Sequence, residues 1–234
     1  AAHPNSRFTT PMRNNSAWSP QADDPRGVPI SAIIFGGRRA STVPLVLESM
    51  DWTHGVFMGA TMGSETTAAA SGAVGVLRRD PMAMLPFCGY NIGDYFAHWL
   101  KMRGAIRKPP RIFMVNWFRK GPEGNFIWPG YGENLRVLKW MLDRIHGRAV
   151  GRKTPVGIVP NEGELDLKGL DLPASVAQDA LAMNPKEWKA ELASAEEFFE
   201  KIGPTMPQEL KDRRKAILKS LSGEAPAPRA SAVR

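Results

Sequence analysis

The sequence predicts an α/β protein with a mixed sheet, α+β elements included. Two short apolar runs, VPISAIIFGG (28–37) and RIFMVNWF (111–118), have the length and composition of buried strands. Segments with helical spacing of apolar residues fall between and after them, the clearest at 134–145 and 184–203. No internal repeat is visible, which excludes solenoid and propeller arrays.

Taken in order, residues 1–28 read as loop, because Pro4, Pro11, Pro20 and Pro25 break any periodic pattern. The first strand follows and ends on Gly36 and Gly37. PLVLESM (44–50) suits a short helix, and GVFMGATM (55–62) reads as a second strand. The stretch from Gly59 to Pro81 is unusual: small residues dominate, too many alanines for a plain linker and too many glycines for a good helix. Residues 91–102 place Ile92, Tyr95, Phe96, Trp99 and Leu100 at helical spacing, and 111–118 has a central-strand pattern. A glycine-rich loop leads into a helix with Leu135, Leu138, Leu142 and Ile145 on one stripe, Asn134 as its N-cap and Gly147 as its stop. The helix at 184–203 is well punctuated, with Asn184 as cap, Pro185 in the first turn and Glu187 at capping-box spacing. A last helix spans 207–221, and the Pro/Ala-rich tail at 223–234 is expected to be disordered.

Composition narrows the class. Over 234 residues, 43% hydrophobic content and seven tryptophans require a real core. No apolar run reaches the roughly 18–20 residues that a membrane span needs. The opening AAHPNSRFTTP lacks the apolar segment of a signal peptide, and its polar, turn-rich character reads as the interior of a longer protein, a fragment or processed piece. Cys88 is the only cysteine, so an internal disulfide framework and a Cys-based zinc site are excluded and a reducing cytosol fits. A net charge of +8 suits a polyanionic partner, whether nucleic acid, nucleotide or acidic substrate, although many soluble proteins are basic without one.

Two stretches carry candidate chemistry. FGGRR (35–39) puts two glycines, which permit close backbone approach, before two arginines, whose forked guanidiniums match phosphate oxygens. A tight turn with two solvated arginines is the other reading of it. VNWFRKGPEGNFIWPGYGEN (115–134) sets Trp117, Phe118, Phe126 and Tyr131 in and beside a loop with glycines at 121, 124, 130 and 132, and Asn134 closes it. Such rings can stack on a planar base and an amide can read its edge, or they can form a small core beneath a long loop. The pair Arg78–Arg79 and the cluster Arg103, Arg107, Lys108 and Arg111 read as solvated faces, and NSRF (5–8) says nothing alone. The phosphate-loop, zinc-protease and dinucleotide motifs are absent, and His3, His54, His98 and His146 lie too far apart to share a metal on one helical turn.

Together these stretches resemble the C-terminal part of the GTP-dependent phosphoenolpyruvate carboxykinases. GVPISAIIFGGRR, HGVFMGATMGSETTAAA, DPMAMLPFCGYNIGDYFAHWL and NWFRKGPEGNFIWPGYGENLRVLKWMLDR match that family in order and spacing, over roughly residues 3 to 220. The resemblance implies that residues 1–150 belong to a nucleotide-binding domain, with 151–222 a helical layer of the same domain. It implies that Ser64 to about Gly75 is a mobile lid, with Ser64, Glu65, Thr66, Thr67, Ala68, Ala69, Ala70, Ser71 and Gly72 at its heart and Gly63 and Gly72 as hinges. Small side chains bury little surface, so a closed lid is only slightly favoured and can reopen.

Other roles follow residue by residue. Arg7 matches an arginine that contacts the transferred phosphoryl group, and Asn5 a neighbour that holds the small substrate. Arg38 matches one that neutralises nucleotide phosphates. Trp117, Phe118, Phe126 and Tyr131 resemble the guanine pocket, with Tyr131 where the family often has Phe, and Asn134 resembles its base-edge contact. The implied substrates are oxaloacetate and GTP, the products phosphoenolpyruvate, GDP and carbon dioxide. The family uses manganese at the active site and magnesium with the nucleotide, is usually monomeric, and is cytosolic in bacteria. Its phosphate-binding loop and manganese ligands have no counterpart here, so this chain alone is expected to be inactive and to work with the remaining N-terminal part of the enzyme. Two other readings stand beside this one: a non-catalytic guanine-nucleotide module, and a basic nucleic-acid binder that stacks bases on its aromatics. No nucleic-acid fold signature supports the last.

Overall fold

The computed structural model describes residues 9–67 and 73–223. Asn5, Arg7, Ala68 to Gly72 and the tail beyond Gly223 lie outside the described residues.

The centre is a five-stranded mixed sheet. Strands β1 (Ala32–Gly36), β2 (Val46–Glu48), β5 (Arg111–Val115), β6 (Arg152–Thr154) and β7 (Gly157–Val159) are ordered β1-β5-β2-β7-β6. β1 and β5 run parallel, with Gly36 opposite Val115, and every other pairing is antiparallel. A separate hairpin pairs β3 (Gly63–Glu65) with β4 (Leu77–Arg79). The helices are α1 (Trp52–Ala60), α2 (Ile92–Ala105), α3 (Asn134–Ile145), α4 (Ala174–Leu181), α5 (Pro185–Ile202) and α6 (Gln208–Leu221).

β5 sorts the core by alternation. Ile112 and Met114 join one cluster with Phe35, Val56, Phe57, Phe96, Leu192, Phe199 and Leu210, drawn largely from α1, α2, α5 and α6. Phe113 and Val115 join the other, with Trp128, Val137, Trp140, Met141 and Ala180. Period-2 side-chain direction thus gives the strand two buried faces, as a central strand requires.

Three expected elements differ. Residues 55–62, read as a strand, fall mostly in α1, which Asp51 caps by accepting from the His54 N–H at 2.8 Å. Eight of its nine residues are buried, so the segment is enclosed on all sides and shows no amphipathic stripe. Its small residues let it lie tight on the sheet: a Cβ on Gly55 would stand 2.4 Å from Ile112 Cδ1, and one on Gly59 2.8 Å from Phe35. Residues 46–48, read as part of a helix, form β2, wedged between β5 and β7 with all three residues buried. The stretch read as a helical layer opens with the β6–β7 hairpin, which extends the sheet, before α4 to α6.

The other helices lie near their expected places. Asn184 caps α5 by accepting from the N–H groups of Lys186 and Glu187 at 3.0 and 3.4 Å, and Glu187 accepts from its amide at 3.2 Å. Gly147 follows α3 at φ +73°, the left-handed stop that glycine favours. Asn134 is not the cap of α3; Glu133 holds that position and Asn134 opens the helix, its side chain engaged elsewhere.

Candidate functional site

β1 and β5 are parallel neighbours, so their C-terminal ends deliver two loops, 37–45 and 116–133, to the same edge of the sheet. Ligands of open α/β sheets bind beyond the carboxyl ends of such strands. Asn116 clips the two loops together. Its amide is 1% exposed, and its Oδ1 accepts from the N–H groups of Arg39 at 3.3 Å and Phe118 at 3.1 Å. Its Nδ2 donates to the carbonyls of Arg39 and Val43, both at 2.9 Å. All four hydrogen-bonding positions of the side chain are used, which fixes both loop starts relative to the strand. Its sequence signal is a lone amide inside the apolar run MVNWF, too slight to mark it apart from the rest of the strand.

The arginine-bearing loop is also tied to β3. Gly37 lies so close that a Cβ there would stand 2.3 Å from the Gly63 carbonyl oxygen. Arg38 N–H donates to Ser64 Oγ at 3.1 Å, and Glu65 N–H to the Arg38 carbonyl at 2.8 Å. The Arg38 guanidinium donates to the Glu65 carbonyl at 3.1 Å, and Ala40 N–H to Glu65 Oε1 at 2.8 Å. The expected lid therefore starts from a stem fastened to the very residues read as phosphate-binding. Thr66 continues the fastening: its N–H bonds the Val76 carbonyl at 3.0 Å and its hydroxyl the Ala73 carbonyl at 2.5 Å. Thr67 is the last described residue before the gap. Gly63, expected as a hinge, sits within β3, where a Cβ would meet Leu77 at 2.8 Å; close packing is its evident reason for being glycine.

The neighbouring arginines diverge. Arg38 is half-buried, with its guanidinium carbon 5.2 Å from the centre of the Phe118 ring. Arg39 is 7% exposed and forks onto Glu191 of α5 at 3.1 and 2.5 Å. Arg79 of β4 reaches the same carboxylate at 2.6 Å and the Thr61 carbonyl at 2.6 Å, so it is a buried tie and not the solvated residue expected; Arg78 is exposed. Burial pushes the Glu191 carboxyl up, but the Arg39 hydrogen bond and the charges of Arg39 and Arg79 outweigh it and hold the group below its ordinary value.

The aromatic residues separate into wall and rim. Phe118 and Phe126 meet edge to face, centroids 5.9 Å apart at 77°. The glycine-rich loop brings them together by folding back: Lys120 bridges Phe126, the Ile127 N–H reaches the Arg119 carbonyl at 2.9 Å, and Gly124 turns at φ +81°. Lys120 Nζ lies 5.7 Å from the Phe126 ring centre. Arg38 and Lys120 thus flank the two rings, and among the described residues neither has a carboxylate partner. Phe126 and Lys120 also border an open groove of about 720 Å³ that extends toward Val176 and Asp179 of α4.

Trp117 and Trp128 face inward. Trp128 is 2% exposed in the second core cluster, and Trp117 packs against that cluster half-buried. Tyr131 is 95% exposed and pairs with no other ring among the described residues. Asn134 Oδ1 accepts the Trp128 indole N–H at 2.9 Å. Of the residues expected to hold a nucleotide, the structure therefore gathers Arg38, Phe118 and Phe126, sets Asn134 on Trp128, and leaves Tyr131 projecting. Among the described residues no group of three His, Cys, Asp or Glu side chains is disposed to hold a metal ion.

Residues 1–220 match the family model described as the phosphoenolpyruvate carboxykinase C-terminal P-loop domain. The chain belongs to the GTP-dependent phosphoenolpyruvate carboxykinase family. It is 61% identical over 218 residues to the phosphoenolpyruvate carboxykinase (GTP) of Anaeromyxobacter dehalogenans strain 2CP-1, covering 93% of this chain and 37% of the relative. It is 53% identical over 212 residues to that of Renibacterium salmoninarum, covering 90% and 35%. For Arthrobacter sp. strain FB24 the identity is 52% over 219 residues, covering 93% and 36%. The chain thus spans a little over a third of the length of these carboxykinases, and its mixed α/β architecture is that of the family's C-terminal domain.

Proposed function

We propose that this chain supplies the nucleotide side and the lid of a GTP-dependent phosphoenolpyruvate carboxykinase. That enzyme converts oxaloacetate and GTP into phosphoenolpyruvate, GDP and carbon dioxide, a gluconeogenic carboxy-lyase step. The observation that carries the proposal is the placing of Arg38 over Phe118, whose ring meets Phe126, beyond the ends of β1 and β5 and fastened to the root of the lid.

In this reading Phe118 and Phe126 hold the flat face of the guanine and Tyr131 closes over it from the rim. Asn134 reads the base edge and Trp117 backs the pocket. Arg38 neutralises the phosphates, with Lys120 adding positive charge at the mouth. Decarboxylation breaks a carbon–carbon bond and leaves its electron pair on an enolate. The enolate oxygen then attacks the terminal phosphorus of GTP, and GDP departs. Arg7 stabilises charge on the moving phosphoryl group and Asn5 holds the small substrate; both roles are positioning and charge stabilisation, which dominate phosphoryl transfer. Protonation of the enolate would give pyruvate instead, so the lid from Ser64 to Gly72 acts by excluding water.

The manganese and magnesium that the family uses have no fitting ligand set among the described residues, and no step above is assigned to them. Their ligands and the phosphate-binding loop belong, in this proposal, to the N-terminal part of the same enzyme. In this proposal the complete protein is a cytosolic monomer that binds neither nucleic acid nor membrane. Among the described residues no helix is long and apolar enough to cross a bilayer.

The test is turnover of oxaloacetate by the whole natural chain with added manganese, GTP and ATP compared side by side. Phosphoenolpyruvate from GTP and not from ATP is the expected result. Binding of GDP with no phosphoenolpyruvate from a folded protein would leave a non-catalytic guanine-nucleotide module. Ala69→Gly with Ala70→Gly should raise the proportion of pyruvate formed and lower turnover; unchanged turnover would remove the role given to the lid.

A further inference from the structure

We infer that Trp128 is a specificity-determining positioning residue: its indole N–H holds the Asn134 amide so that the NH₂ group points outward, as a donor to the carbonyl at C6 of guanine. The inference rests on the nucleotide reading above and gives that site its means of rejecting adenine.

An asparagine amide has two ends of similar shape and opposite hydrogen-bonding character, so its orientation decides what it can recognise. Here a donor fixes the orientation. The indole nitrogen of tryptophan can only donate, so the Asn134 atom 2.9 Å from it is the oxygen. Trp128 is 2% exposed within the core cluster that also holds Val137 and Trp140 of α3, so the donor is rigidly placed. Asn134 opens that same helix, which ties the two ends of the hydrogen bond to one packed unit.

With Oδ1 turned inward, Nδ2 is left without a partner among the described residues, and it is not among their buried unpaired atoms. A half-buried residue therefore presents an outward NH₂ group that can only donate. Guanine and hypoxanthine carry an acceptor at C6, where adenine carries an amino donor. An outward NH₂ bonds the first two and meets the third donor to donor. The flipped amide would reverse the preference, and the buried indole N–H prevents that flip because it would lose its acceptor.

The test uses calorimetric titration of the whole natural chain with GDP, IDP and ADP. IDP keeps the C6 carbonyl and lacks the 2-amino group, so it isolates the contact. The native chain should bind GDP and IDP more tightly than ADP. Trp128→Phe should reduce the IDP-over-ADP preference about tenfold, the worth of one directed hydrogen bond. If that variant fails to fold, β-(3-benzothienyl)alanine at position 128 keeps the bicyclic shape, removes only the N–H, and should give the same loss. Asn134→Asp keeps an acceptor for the indole but offers no donor, and should also lose the preference. An unchanged IDP-over-ADP preference in a folded Trp128 variant overturns the inference and leaves the nucleotide site standing. IDP bound no better than ADP by the native chain overturns the C6 contact. A native chain that binds none of the three overturns the nucleotide reading itself, and this inference with it.

Discussion

The guanidinium carbon of Arg38 lies 5.2 Å from the centre of the Phe118 ring, although the two residues stand on loops 80 positions apart in the chain. A cation on an aromatic face is worth roughly 0.5–1 kcal/mol at an exposed site. Its greater effect here is to aim one arginine at the rim of the ring pair while its neighbour, Arg39, is drawn inward to Glu191. The two arginines of FGGRR should therefore respond differently to removal. Arg38→Ala should weaken GDP binding at least tenfold and reduce its salt dependence, with unfolding stability changed by about 1 kcal/mol or less. Arg39→Ala should lower stability by about 3 kcal/mol, because it breaks a buried ion pair. Urea unfolding and GDP titration of the two variants check both statements; matching profiles would contradict the division of roles.

Asn116 should matter to both fold and site. Asn116→Ala removes four hydrogen bonds and leaves the Arg39 and Phe118 N–H groups without their acceptor. An unsatisfied buried group costs about 1–3 kcal/mol, so a loss of about 3 kcal/mol is expected by urea unfolding. Nucleotide affinity should fall as well, measured under conditions where the variant is folded, since the loops that carry Arg38 and Phe118 lose their common anchor.

Gly37 tests the fastening of the lid root. Gly37→Ala places a methyl carbon against the Gly63 carbonyl oxygen, backbone that no side-chain rotation can relieve. β3 must move away from residues 38–40. Stability should fall by about 1–3 kcal/mol. Hydrogen exchange should accelerate at the amides of Arg38, Ala40 and Glu65, which bond across that contact. Unchanged protection at those amides would show that the stem does not depend on this close approach.

Stability should decline in mild acid because of His54. The imidazole is 1% exposed, and its Nδ1 accepts the Met50 N–H at 3.1 Å. Burial, reinforced by the charge of Arg213 and opposed by Asp51, lowers its pKa from 6.5 to about 4. The folded value is depressed, so stability is independent of this group above pH 6.5. It falls as the pH drops from there toward 4, where the unfolded chain binds a proton that the folded chain refuses. The loss approaches about 3 kcal/mol at its limit. His54→Asn should flatten the pH dependence between 7 and 5; an undiminished slope would mean that other groups carry it.

Much of this was legible in the sequence, and the failures have physical causes. The central strand at 111–115, the cap at Asn184 and the stop at Gly147 depend on local chemistry, and each lies where that chemistry put it. Helix α1 was misread because a helix buried on every side loses its stripe and looks like a buried strand; the signals that remained were Asp51 as a cap and Gly55 and Gly59 one turn apart. β2 was misread because three residues fix no period and only their pairing with β5 and β7 makes them a strand. Arg79 looked solvated because its partner, Glu191, is 112 residues away. Asn134 looked like a cap because the sequence does not show that Trp128 occupies its oxygen. Aromatic composition marked the loop as a candidate site, but only the folded hairpin tells the rim rings, Phe118 and Phe126, from the wall residues Trp117 and Trp128.

The most direct measurement is a crystal structure of the whole natural chain with GDP. The guanine is expected against Phe118 and Phe126, with Asn134 Nδ2 within hydrogen-bond distance of the C6 oxygen and phosphate oxygens on Arg38. GDP bound in the groove toward α4, or anywhere that leaves Arg38 and Phe118 without contact, would contradict it.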